Sequence, residues 1–165
     1  TVDTRGQGKV PLIGYKAKKH APLIDIRRIN YYDPNDYWEP IFARSDAGLV
    51  LNPDDFYILA SKEPVIVPQN YAAEMVAYDT LVGEFRVHYA GFFDPGFGNT
   101  RGSSAGSKAV LEVRSHQVPF MIADGQIIGR LNYEKLLAVP DKLYGNNIGS
   151  SYQHQGLTLS KQFRS

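Results

Sequence analysis

Turn-forming residues interrupt this chain so often that almost no stretch is left on which a helix of ordinary length could form. Glycine occurs 15 times and proline 10 times in 165 residues. From residue 48 onward they fall, with Asn and Asp, between short apolar runs. Asn52-Pro53-Asp54, Glu63-Pro64, Pro68-Gln69-Asn70, Asp94-Pro95-Gly96 and Ala123-Asp124-Gly125 all carry turn chemistry. The runs between them are rich in Tyr, Phe, Val and Ile and read as strands over 48–51, 56–61, 65–67, 73–77, 84–93, 109–115, 118–121 and 126–133. Many short strands at this spacing predict an all-β sandwich or barrel. No long helical period competes; a helical turn is expected near 133–137.

Residues 1–45 lack this rhythm. They are rich in Lys, Pro and Tyr, with 23–29 as the best strand candidate, and read as an N-terminal extension or interdomain segment. The β domain is expected over 46–143, followed by a polar tail over 144–165 that is mobile unless it closes over something. Residues 97–108 form a Gly/Ser insertion whose spacing does not fit a Walker loop, and it reads as an exposed hairpin loop.

Charge narrows the possible partners. Eighteen basic residues against 17 acidic ones give a net charge of +1, too balanced for the basic surface that polymeric nucleic acid requires. The cluster Lys16, Lys18, Lys19 and His20 reads as a solvated loop. No apolar run approaches the roughly 20 residues that span a bilayer, so no membrane partner is expected. Cysteine is absent, which removes disulfides and thiolate metal sites and fits a cytoplasmic protein.

Two acids stand out. Asp94 lies in Phe93-Asp94-Pro95-Gly96-Phe97-Gly98, where an Asp ordinarily caps its own turn. Glu112 sits in the apolar run Ala109-Val110-Leu111-Glu112-Val113. An unpartnered buried carboxylate is costly, so Glu112 is paired, protonated or engaged in chemistry unless it faces solvent. Alternation puts it on one face with Val110 and leaves both readings open. His20, His88, His116 and His154 show no close ligand spacing, so no zinc is expected. Near the C-terminus, Gln153 to Lys161 offers amide, hydroxyl and ammonium donors for anionic oxygens, or forms a plain polar tail.

Taken together, these blocks resemble the dCTP deaminase branch of the dUTPase-like (β-clip) superfamily. The matching pieces are Phe93-Asp94-Pro95-Gly96, Val110-Leu111-Glu112, Asp124-Gly125-Gln126-Ile127-Ile128-Gly129-Arg130-Leu131, Tyr144-Gly145, and Tyr152-Gln153-His154-Gln155-Gly156 with Ser160-Lys161. The resemblance implies a distorted jelly-roll or barrel of short strands that assembles as a trimer, with sites between subunits. It implies zinc-independent hydrolysis of dCTP to dUTP and ammonia, with Glu112 as the catalytic proton shuttle. It places the backbone of Ala90 at the water, Asp94 at the deoxyribose, and Val110 and Leu111 around the base. Tyr144, Gln155, Ser160 and Lys161 fall where the family closes on sugar and triphosphate, and Mg2+ accompanies the triphosphate.

One departure from the family pattern matters. The family carries an Arg-Ser-Ser-x-x-x-Arg block before the Asp-Pro-Gly turn, whereas this chain has Val76-Ala77-Tyr78-Asp79-Thr80-Leu81-Val82-Gly83. Ser151 likewise replaces a basic residue, and Arg101, Ser103 and Ser104 follow the turn instead of preceding it. The chain therefore reads as the C-terminal half of a tandem deaminase, completed in a trimer or pseudo-trimer by a second dUTPase-like domain. The competing readings are a noncatalytic nucleotide-binding or scaffolding half, and a dUTP pyrophosphohydrolase whose Gly-Val-Ile-Asp-type block is matched poorly.

Overall fold

Apolar and polar residues alternate along 107–115, giving a strand with two unlike faces, and the chain is built around it. In the computed structural model, which describes residues 1–6, 11–44, 48–77, 85–87, 91–99, 106–115, 118–145 and 156–164, this strand is Ser107–Ser115. Ser107, Ala109, Leu111, Val113 and Ser115 are buried; Lys108, Val110 and Glu112 are half-buried and Arg114 is exposed.

In chain order the strands are β1 (Leu12–Ala17), β2 (Trp38–Phe42), β3 (Leu49–Leu51), β4 (Phe56–Val65), β5 (Tyr71–Ala77), β6 (Phe85–Val87), β7 (Phe92–Phe93), β8 (Ser107–Ser115), β9 (Phe120–Ile122) and β10 (Gly129–Lys135). They form a five-stranded sheet in the order β2-β1-β4-β8-β6, a three-stranded sheet β10-β5-β7, and the pair β3-β9. Every named strand pairing is antiparallel. The core lies inside β4 and β8, where Tyr57, Leu59, Leu111 and Val113 meet Leu51, Ile122, Ala73 and Phe93. This is the expected all-β architecture.

The strand expected at 56–61 runs on to Val65 as β4, with a register shift between Ala60 and Pro64, while Ile66 and Val67 of the strand expected at 65–67 lie outside any strand. A bulge tolerates a proline that a regular ladder would not. Ser61 serves the irregular stretch: its hydroxyl accepts from the Ala109 N–H at 2.9 Å and donates to the Glu63 carbonyl at 2.7 Å.

Three expectations are corrected. Residues 133–137 do not make a helical turn, because β10 stays paired with β5 from Gly129 opposite Ala77 to Lys135 opposite Tyr71. Residues 23–29 form no strand. The Asp25 carboxylate there accepts from the Arg27 N–H and guanidinium at 3.1 and 2.9 Å, a local turn that competes with extension. The described part of 1–45 is built into the domain: β1 and β2 extend the main sheet, and Val2 is fully buried in the core.

The α-helix in the described residues, α1 (Pro34–Tyr37), falls where no element is expected, although its signal is present. Asp33 is the N-cap, accepting from the Asn35 N–H at 2.8 Å, and Pro34 takes the first turn. Asp33→Ala is expected to cost about 1 kcal/mol, measured as a lower urea midpoint with unchanged slope.

Candidate functional site

Residues facing one another across an antiparallel ladder share a face, and the outer face of the main sheet carries the row Tyr15, Ile58, Glu112. Glu112 is half-buried there, and its carboxylate makes no hydrogen bond or ion pair among the described residues. Val110 shares this face. Leu111 is 2 % exposed and points into the core, so only its backbone can meet a ligand beside Glu112.

Lys108 and Asp3 close one end of this face with an ion pair. Asp3 also accepts from the Gly6 and Arg5 N–H groups at 2.8 and 3.1 Å. Burial pushes the Asp3 carboxyl upward, but its bonds to Lys108, Gly6 and Arg5 outweigh this and hold it below the ordinary value. A depressed folded-state value stabilises above the unfolded carboxyl's range, and that gain disappears as pH falls through the folded value. Asp3→Asn is therefore expected to lower stability at neutral pH and to lose less than wild type between about pH 5 and pH 2, followed by urea denaturation. At the other end, the Arg114 guanidinium lies over the Phe56 ring at 5.0 Å.

The C-terminal segment roofs the same face. Leu159 and Phe163 are buried with Tyr37 in an apolar cluster against which Tyr15, Tyr32, Trp38 and Ile58 pack. Ile58 is the residue opposite Glu112. The segment is tied by its main chain: Asn30 N–H donates to Lys161 C=O, Tyr31 N–H to Gln162 C=O, and Arg164 N–H to Tyr32 C=O, each at 2.9 Å. Residues 156–164 are thus docked, not loose. The exposed Ser160 and Lys161 line a groove of about 470 Å³ with Tyr15, Asn30 and Thr158.

Asp94 sits elsewhere. Its turn is clamped by main-chain bonds, Gly96 N–H to Val67 C=O at 3.1 Å and Val67 N–H to Phe97 C=O at 2.9 Å. The exposed Asp94 carboxylate caps nothing among the described residues; its carbonyl accepts from the Phe97 N–H at 3.0 Å. Tyr144 joins this corner, donating its N–H to Pro95 C=O at 3.0 Å and packing 5.6 Å from the Phe97 ring. Gly98 at the end of this turn lies against the Ser107 nitrogen, at the start of the strand that carries Glu112. Among the described contacts, the face of Glu112 meets the tail cluster through Ile58, and the turn of Asp94 meets Tyr144.

Ala90 and Gln155 lie outside the described residues, as do His88, Arg101, Ser103, Ser104, Tyr152, His154 and 78–83. Among the described residues no three His, Cys, Asp or Glu gather to hold a metal, and no helix is long and apolar enough to cross a membrane. Sequence reasoning passes over Asp3, Phe56 and Arg114. The alternation that singles out Glu112 also places Arg114 on its face.

An all-β fold with a half-buried acid on a tail-roofed sheet face defines a domain of the dUTPase-like class. The family model for the C-terminal domain of 2'-deoxycytidine 5'-triphosphate deaminase (DCD) matches residues 1–163, and the chain belongs to that family. It is 32 % identical over 142 residues to a dUMP-forming dCTP deaminase of Halobacterium salinarum, covering 84 % of this chain and 67 % of that protein. A dUMP-forming dCTP deaminase of Beutenbergia cavernae is 31 % identical over 158 residues, covering 90 % and 78 %. The crystal structure of 2'-deoxycytidine 5'-triphosphate deaminase from Agrobacterium tumefaciens matches with a TM-score of 0.79 and 57 % identity. That match covers 85 % of this chain and 42 % of the Agrobacterium chain, so this chain spans less than half of that protein's length.

Proposed function

We propose that this chain contributes to the hydrolytic deamination of dCTP, with Glu112 as general base and acid. The observation that carries the reading is a half-buried carboxylate, without a partner among the described residues, on the tail-roofed sheet face of a DCD-family domain. Glu112 takes a proton from water as its oxygen bonds to C4 of the cytosine. Glu112 gives that proton to ring N3, and the proton of the new C4 hydroxyl then passes to the amino group as the C4–N bond breaks, releasing ammonia and leaving uracil. A half-buried site favours this role because protein dipoles replace part of the solvent.

In this reading Val110 and the backbone of Leu111 border the base, and the Ala90 backbone holds the water. Asp94 and Tyr144 face the sugar, while Gln155, Ser160 and Lys161 meet the triphosphate. Because the chain has no serine or arginine over 76–83, complete sites form between domains or subunits, in a trimer or pseudo-trimer with a second dUTPase-like domain that supplies the Ser/Arg block. Mg2+ enters as part of the Mg·dCTP substrate, since a small divalent ion keeps its waters and binds through phosphates. No zinc takes part, and the protein works in the cytoplasm.

Incubating the chain, and a longer protein carrying an Arg-Ser-Ser block, with Mg·dCTP and separating the nucleotides tests this. The expected products are uracil nucleotide and ammonia, from the longer protein if the site is shared. Absence of both from both proteins favours the scaffolding reading. The names of the Halobacterium and Beutenbergia relatives favour a second step in which dUTP is cleaved to dUMP and diphosphate. Accumulation of dUTP without dUMP would exclude that step.

A further inference from the structure

In the loop between β1 and α1 the apolar side chains face water and the polar atoms hold the loop in place. Leu23 is 96 % exposed and Ile26 75 %, and Ile24, Ile29 and Tyr31 are exposed beside them. The Asp25 N–H donates to the Tyr32 hydroxyl at 2.7 Å and the Arg28 N–H to the Asp25 carbonyl at 3.0 Å. The Gln162 side-chain amide donates to the Ile26 carbonyl at 3.0 Å, beside the main-chain bonds that join Asn30 and Tyr31 to the C-terminal segment. A solvated loop shows the reverse arrangement. Clustered aliphatic side chains on a fixed backbone mark a surface that a partner covers.

Position says what the partner is. Asn30, at the end of this loop, lines the same groove as Ser160 and Lys161. Tyr32 packs 6.4 Å from the ring of Phe163, in the segment that roofs the Glu112 face. In the deaminase reading the missing Ser/Arg wall comes from another domain, and a domain placed at this groove comes down on the loop. More than half of the Agrobacterium chain lies beyond the match, room for one more domain of this size in that protein. Charge describes the face that fits. Lys18, Lys19, Arg27 and Arg28 stand against Asp25 alone over 18–31, and Asp25 is already held by the Arg27 guanidinium at 2.9 Å. We propose that the 23–31 loop is the surface on which the second dUTPase-like domain docks, through an apolar patch edged with carboxylates. The identity of that partner rests on the deaminase reading.

Hydroxyl-radical labelling of side chains, read by mass spectrometry, is applied to the chain alone and to the complete enzyme with its Arg-Ser-Ser domain. Leu23, Ile26 and Ile29 are expected to label in the chain alone and to lose that labelling in the complete enzyme. The double variant Leu23→Asp, Ile26→Asp is expected to restore labelling at Ile29 and to lower deamination by the complete enzyme about tenfold or more. Leu23→Met with Ile26→Val keeps protection and turnover. Emission from Trp38, the only tryptophan of the chain and 6.2 Å from the Phe163 ring, checks that the C-terminal segment stays docked in the variants. Full labelling in the complete enzyme overturns the proposal, and uracil nucleotide formed by that same enzyme leaves the deaminase reading standing. Protection in a complete enzyme that forms no uracil nucleotide upholds the docking surface and counts against the deaminase reading. Protection already present in the chain alone means a second copy covers the loop, and protection only with phosphatidylserine vesicles means a lipid surface does; either overturns the proposal.

Discussion

Glu112→Gln is expected to reduce deamination by about 10²- to 10⁴-fold, the range a positioned general acid/base contributes, while nucleotide still binds. Glutamine keeps the shape and removes the proton transfer. Because Glu112 makes no hydrogen bond or ion pair among the described residues, the substitution strands none of them, and the urea midpoint should not fall. This separates chemistry from folding. The assay is single-turnover conversion of Mg·dCTP by the complete enzyme, beside a dCTP titration followed through Trp38. Turnover within about threefold of wild type would remove Glu112 from the mechanism.

Gly98→Ala is expected to be the most damaging single-atom addition to the fold. Gly98 has φ +69°, and an added Cβ would lie 2.1 Å from the Val65 carbonyl oxygen and 3.0 Å from the Ser107 nitrogen. Both neighbours are main chain in paired strands, so neither can yield without breaking the ladder between β4 and β8. Left-handed backbone alone disfavours a side chain by roughly 1 kcal/mol. With the steric conflict the total should exceed about 3 kcal/mol, among the large values seen for point substitutions. Gly156→Ala is the control, because nothing lies within 4 Å of its added Cβ. Equal unfolding midpoints for the two variants would refute the packing described for the 94–99 turn.

The central strands are legible in the sequence because their alternation is clean. Along β8 the buried and half-buried residues take turns, and the residue order alone assigns Val110 and Glu112 to one face and Leu111 to the other. The turn at Asp94 is legible as a turn, but not its docking, since Val67 and Tyr144 hold it through backbone atoms that leave no side-chain pattern. The same reason hides the attachment of the tail to 30–32. The first 45 residues mislead for a different cause. Gly14 of β1 packs against Leu59, with an added Cβ only 2.5 Å from that side chain. A glycine required for close approach lowers the apparent strand signal where pairing is tightest. The family resemblance supplies roles for residues that spacing leaves undecided.

The strap over the main sheet separates holding from reading. Residues 161, 162 and 164 are fixed to 30–32 through amide and carbonyl groups common to every amino acid, while Leu159 and Phe163 supply apolar weight from below. Ser160 and Lys161 are left with outward tips that support none of this attachment. Selection can therefore rewrite what the strap recognises, one exposed side chain at a time, without unfastening it.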